Sequence, residues 1–81
     1  MLNKNTRRND QIFAIIGERV LPATFLFFEN NKFSKISLQN PDRDIFKQTA
    51  HCYNNERHAF EALKEKLEYH LACCEEELAK F

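Results

Sequence analysis

The C-terminal third of the chain has the pattern of one long amphipathic helix. Residues 56–81 contain neither glycine nor proline, and apolar side chains recur there every three or four residues. They are Phe60, Leu63, Leu67, Leu71, Cys74, Leu78 and Phe81. This spacing places them on one face of a helix with 3.6 residues per turn. A helix over residues 56–81 would be about 39 Å long, whereas a small domain is about 30 Å across. We therefore expect part of this face to extend beyond the rest of the fold.

The chain has 81 residues, the size of one domain. A domain this small buries only about 60–65% of its unfolded surface, so oligomerisation, a metal or disulfides commonly supplement its core. Hydrophobic residues make up 43% of the chain and charged residues 30%, a balance that excludes a disordered chain. The sequence contains eight phenylalanines. We expect these rings to form the core, because burying each one contributes about 1.5–3 kcal/mol.

Short strands separated by turns are predicted before the helix. The apolar runs predict strands at Gln11–Ile16, Val20–Phe28 and Phe33–Leu38. Gly17, the only glycine, forms with Glu18 a pair that suits a two-residue hairpin turn. Whether residues 45–53 add a fourth strand is left open by their composition.

The predicted fold class is therefore α+β, with a three- to four-stranded antiparallel β-meander followed by one long C-terminal helix. We expect a single domain over residues 1–81. Residues 1–9 would form a flexible basic arm, residues 10–53 the meander and residues 55–81 the helix, with an asparagine as its N-cap.

No membrane span is expected, because no stretch approaches the 18–20 apolar residues that a span requires. The N-terminal residues lack an apolar core that leads to a cleavage site. The cysteines are odd in number, and Cys73 and Cys74 are adjacent, which favours reduced thiols over a disulfide framework. These features predict a cytoplasmic protein.

The charges are balanced overall but unevenly distributed. The formal net charge is +0, yet the N-terminal arm carries Lys4, Arg7 and Arg8, and the helix carries an excess of glutamate. An acidic helix and a short basic arm differ from the one-signed basic face of a typical nucleic-acid-binding domain. A nucleic-acid-associated regulator that uses this arm is the alternative hypothesis.

A zinc site is the second alternative. His70 and Cys74 are four residues apart on the helix, and helical side chains at that spacing can reach one ion. Cys73 points about 100° away from Cys74, so the two thiols would rarely bind one metal together. The competing interpretation, that Cys74 packs in an apolar surface and His70 borders it, leads us to predict no metal and no cofactor.

The sequence offers no basis for an enzyme. Cys73 and Cys74 lie in the C-terminal part of the helix, where the helix dipole and the glutamates that follow oppose a thiolate. The glutamate run at residues 75–77 is typical of a solvated helix surface, and a single glycine cannot form a phosphate-binding loop. We therefore predict a non-enzymatic protein.

The layout resembles that of small phage and mobile-element proteins in which a short β-meander precedes one charged helix. The segment that carries the resemblance is His58–Leu67, with the sequence HAFEALKEKL. The resemblance implies an accessory protein that binds host proteins, including inhibitors of host defence systems.

Self-association is the main functional hypothesis. Leu67, Leu71, Cys74, Leu78 and Phe81 form a continuous apolar seam, and a six-residue strand spans only about 20 Å. If the protein's own sheet did not cover this seam, a second copy or another protein would. We predict a homodimer, most simply with an antiparallel helix pair, that acts as a small protein-interaction module.

Overall fold

The computed structural model describes Leu2, residues 4–39 and residues 42–80. The elements are five strands, β1 (Gln11–Ile16), β2 (Arg19–Phe28), β3 (Phe33–Leu38), β4 (Arg43–Gln48) and β5 (Cys52–Tyr53), a single 3₁₀ turn (Thr49–His51) and one helix, α1 (Glu56–Leu78). All strand pairs are antiparallel, and the order across the sheet is β4-β3-β2-β1-β5. The predicted α+β class, a meander followed by one long helix, is confirmed.

Two tight turns set the register of the meander. Ile16 pairs with Arg19, so Gly17 and Glu18 alone connect β1 to β2. Gly17 has a φ of 63°, which places glycine at the first central position of the turn, as in type II′ hairpins. In the turn before β3, the Asn30 Oδ1 accepts hydrogen bonds from the backbone N–H groups of Lys32 and Phe33, at 2.8 and 2.9 Å.

Residues 45–53, whose structure the sequence left open, are divided between the two strands β4 and β5. β4 ends at Gln48, and after the 3₁₀ turn Cys52 and Tyr53 pair with β1 at the opposite edge of the sheet. Across a flat five-stranded sheet those edges would be about 19 Å apart, whereas the chain from Gln48 to Cys52 spans at most about 13 Å. The sheet must therefore curl, and the Cys52 thiol donates to the Gln48 carbonyl oxygen at 3.6 Å across the closure.

The main core fills the inside of this curl. Its buried cluster takes two alternating residues from each of β1, β2 and β3 and adds Cys52 and Leu2. The members are Leu2, Ile12, Ala14, Ala23, Phe25, Ile36, Leu38 and Cys52, with Ile16 and Ile45 packed against them. Two small residues, Ala14 and Ala23, lie in the central strands of the curl. Burial alternates along β3, with Ser34, Ile36 and Leu38 inside.

The N-terminal segment contacts the sheet at several points. Leu2 belongs to the core cluster, Thr6 is buried, and its Oγ1 accepts a hydrogen bond of 2.9 Å from the Asn54 side chain. Asn9 donates its backbone N–H to the Phe25 carbonyl oxygen at 2.8 Å. The predicted flexible arm over residues 1–9 did not include these contacts, which depend on residues more than fifteen positions away.

Helix α1 packs on the outside of the curl, against β1, β2 and β5. Its N-cap is Asn55, whose side-chain oxygen accepts from the backbone N–H groups of Arg57 and His58. Ala59 and Leu63 are buried outside the main core cluster. Ile15 is also buried, and strand alternation places it on the face opposite Ile12 and Ala14. The sheet therefore lies between a large inner core and a small core beneath the helix.

We expect Gly17→Val to lower the free energy of unfolding by about 1–2 kcal/mol, because a non-glycine residue in the left-handed region is strained. A Cβ atom at Gly17 would meet no atom within 4 Å, so we expect the loss to arise from the backbone. Urea denaturation measures it, with Gly17→Asn as the control, since asparagine tolerates this conformation. Equal losses in both variants would contradict this interpretation.

Candidate functional site

Most of the apolar stripe of α1 lies to one side of the helix face that contacts the sheet. The sheet-facing side of the helix includes Ala59, Ala62 and Leu63. It also includes Lys66, whose Nζ donates to the Gly17 carbonyl oxygen at 3.2 Å. The stripe residues, taken as Phe60, Leu67, Leu71, Cys74 and Leu78 and called the helix flank below, are rotated from that face by about 100°. Phe60 illustrates this rotation. It lies over the sheet, yet 51% of its surface remains exposed.

The second half of the helix also extends past the sheet. Lys66 lies beside Gly17, at the tip of the β1–β2 hairpin, and residues 67–78 continue for about 17 Å beyond it. Within this half Leu67 is 39%, Leu71 61% and Leu78 71% exposed, and Cys74 is exposed. The structure thus places four of the five predicted association residues together, while Phe81 lies outside the described residues.

A second apolar surface lies on the outer face of β2, β3 and β4. Phe27, Phe33 and Phe46 are 40%, 36% and 54% exposed. Together with Lys35 they form what we call the aromatic patch. The expectation that the phenylalanines form the core is therefore wrong for most of them. Of the seven described, Phe25 alone is buried, because the others alternate onto the outer face, end a strand or belong to the helix flank.

Lys35 is the centre of the aromatic patch. It is directly opposite Phe27 on one side and Phe46 on the other. Its ammonium nitrogen is 5.9 Å from the Phe27 ring centroid and 5.2 Å from the Phe46 ring centroid, within the range of cation–π attraction. A cation fixed between two exposed rings suits a partner that combines apolar side chains with carboxylates.

The sequence predicts the outward orientation of only some residues of the aromatic patch. Phe33 and Lys35 alternate with buried residues on β3, which indicates their face. The face of Phe27 depends on an irregularity in β2 between Phe25 and Phe27. Without that bulge, Phe25 and Phe27 would lie on the same face, and a sequence pattern does not reveal it.

A cleft between α1 and β5 brings several titratable groups together. It is lined by Ile15, His51, Tyr53, Ala62, Glu65, Lys66 and Tyr69. Burial lowers the pKa of His51, and the charges of Lys47 and Lys66 act in the same direction. Burial, followed by the charge of Glu65, raises the pKa of Tyr53. In the described part of the chain, no hydrogen bond joins two of these side chains.

The cysteines occupy two environments. Cys52 is fully buried, and this burial raises its thiol pKa to about 11, which keeps the thiol neutral. Cys73 and Cys74 lie in the exposed half of the helix, where with Glu77 and Leu78 they line a shallow, nearly all-apolar groove. Across the described residues, no group of three or more His, Cys, Asp and Glu side chains is arranged to hold a metal ion, and His70 is exposed.

The three basic residues of the alternative hypothesis lie on the surface at the start of the chain. Lys4, Arg7 and Arg8 are all exposed. The backbone N–H of Arg7 donates to the Asp10 carboxylate at 2.9 Å, so an acid lies next to these bases. Nucleic-acid binding by these residues stays a prediction.

Comparison of the chain with protein-family models, with curated proteins and with solved structures found no match. As for membranes, no helix formed by the described residues combines the length and the apolar character needed to cross one.

Proposed function

We propose that this chain is a non-enzymatic protein-interaction module that acts by binding proteins through the helix flank, and that its first partner is a second copy of itself. The observation that carries the proposal is the exposure of Leu67, Leu71 and Leu78 along a helix segment that its own sheet does not reach. Aligned leucines at this exposure are typical of surfaces that another protein covers.

The proportions of the molecule support self-association. Its extents are 49 × 27 × 23 Å, and the helix half that extends past the sheet accounts for much of the long dimension. Among the described residues of the helix, only two side chains, Ala59 and Leu63, are buried, and both lie in its first half. A solitary helix segment with so little tertiary packing has low intrinsic stability in water. Pairing with a second chain would supply the missing contacts.

The test replaces two leucines of the helix flank with charged residues. The wild-type protein is expected to be a dimer at micromolar concentrations, measured by light scattering coupled to size exclusion. Leu71→Glu combined with Leu78→Glu should give a monomer, because both side chains would lose apolar contact and bring charge into the interface.

Ala72→Glu provides the matched control. Ala72 is exposed and lies outside the helix flank, about 100° from Leu71, so this variant adds the same charge at the same height of the helix and should stay dimeric. A wild-type protein that is monomeric at 100 µM concentration, or a double variant that remains a dimer, would refute the proposal.

A further inference from the structure

We propose that the aromatic patch is the surface on which the helix flank of the second copy packs, and that two such contacts, related by two-fold symmetry, form the dimer. This inference rests on the proposed function and deepens it. It names the surface that meets the flank and replaces a simple helix pair with a reciprocal helix-to-sheet contact.

The helix flank cannot reach the aromatic patch of its own chain. The helix extends beyond the hairpin tip at Gly17. Phe27 is eight residues along β2 from Arg19, which follows that tip, so the patch is about 26 Å away in the opposite direction. The patch is therefore free of its own helix flank and open to the flank of another copy.

The charge of the helix segment favours the aromatic patch over a second helix as its partner surface. Residues 67–80 contain Glu68 and the run Glu75–Glu77, four acids, against Lys80, one base, for a net charge of −3. Two such segments packed directly on each other would repel, whereas Lys35 offers a cation at the centre of an apolar surface. Complementary charges of this kind select one docking arrangement over another.

The two possible dimers differ in the apolar side chains that they cover. A pair of helices would cover the leucines and leave Phe27, Phe33 and Phe46 in water. The reciprocal contact covers both surfaces at once, since each copy contributes one helix flank and one patch. Two-fold symmetry then closes the assembly at two chains.

The test changes the patch and leaves the helix intact. Phe46→Ser and Lys35→Glu should each raise the dimer dissociation constant at least tenfold, measured by sedimentation velocity. Lys47→Glu is the matched control for the charge change, because strand alternation places Lys47 on the other face of β4 from Phe46, and its dissociation constant should stay within twofold of the wild type. Circular dichroism melts verify that the variants fold.

Mixing two defective variants separates this inference from the proposed function. Leu71→Glu has a damaged flank and an intact patch, and Phe46→Ser has the reverse. A heterodimer of the two retains one undamaged contact, so the mixture should associate at least tenfold more tightly than either variant alone. If Leu71→Glu abolishes the dimer while Phe46→Ser and Lys35→Glu leave it unchanged, the flank associates but the patch does not, and this inference alone fails. A monomeric wild type would overturn both.

Discussion

Ile36→Ala should lower the free energy of unfolding by about 2–5 kcal/mol, the range for deleting a buried aliphatic side chain. Ile36 is 0% exposed and belongs to the cluster inside the curl. Its strand is flanked by β2 and β4, so its neighbours cannot collapse easily into the cavity. Against a total stability of 5–15 kcal/mol, typical of a small domain, this loss is large.

Urea denaturation measures the effect, with two comparisons. Ile36→Val removes one methyl group and should lower the free energy of unfolding by about 0.5–1.5 kcal/mol. Ile45→Ala removes the same kind of side chain from the cross-strand partner of Ile36, which is only partly buried, and should have a smaller effect than Ile36→Ala. A loss below 1 kcal/mol for Ile36→Ala would contradict its position in the core.

The second large effect is a loss of stability in alkali that originates at Cys52. The folded protein raises the pKa of this thiol from 9.0 to about 11, chiefly by burial. The unfolded chain therefore releases the proton at lower pH than the folded protein does. The stabilisation is fully present below pH ~9 and is lost as the pH rises towards the folded pKa, to a limit of about 3 kcal/mol for two pKa units.

Cys52→Ala isolates this contribution. The variant is less stable than the wild type at neutral pH because it leaves a cavity, but its free energy of unfolding should decline less between pH 8.5 and 11. The pKa of Tyr53 is also raised by burial, which acts on the stability in the same direction, so Tyr53→Phe measures its share. Parallel pH profiles for the wild type and Cys52→Ala would show that the thiol is not responsible.

The strands, turns and helix were largely predictable because their signals are local. Gly17 and the N-cap Asn55 each act within four residues, and each occupies its predicted role. The three strands predicted from apolar runs match β1, β2 and β3 to within one residue. Local hydrogen bonding and alternation suffice for these elements.

The features that were missed depend on contacts distant in sequence. The end of β4 at Gln48 follows from pairing of Cys52 with Ala14, 38 positions away. The orientation of α1 follows from the small residues Ala59 and Ala62, which allow the helix close to β1 and β5. The periodicity that predicted the helix is dominated by the larger side chains of the helix flank, so it did not reveal that Ala59 and Ala62 lie on the sheet-facing side.

Closure of the sheet by β5 has a consequence for the order of folding. The hairpins of the meander join neighbouring segments, whereas β5 pairs with β1 across about forty positions of the chain, and loops of that length close late and at greater entropic cost. The helix begins three residues after Tyr53, so we expect it to dock on β1 only once that last pairing forms. We expect a transition state in which the meander is largely native and the helix is still undocked, which would give substitutions at Leu63 little influence on the folding rate and a strong influence on the unfolding rate.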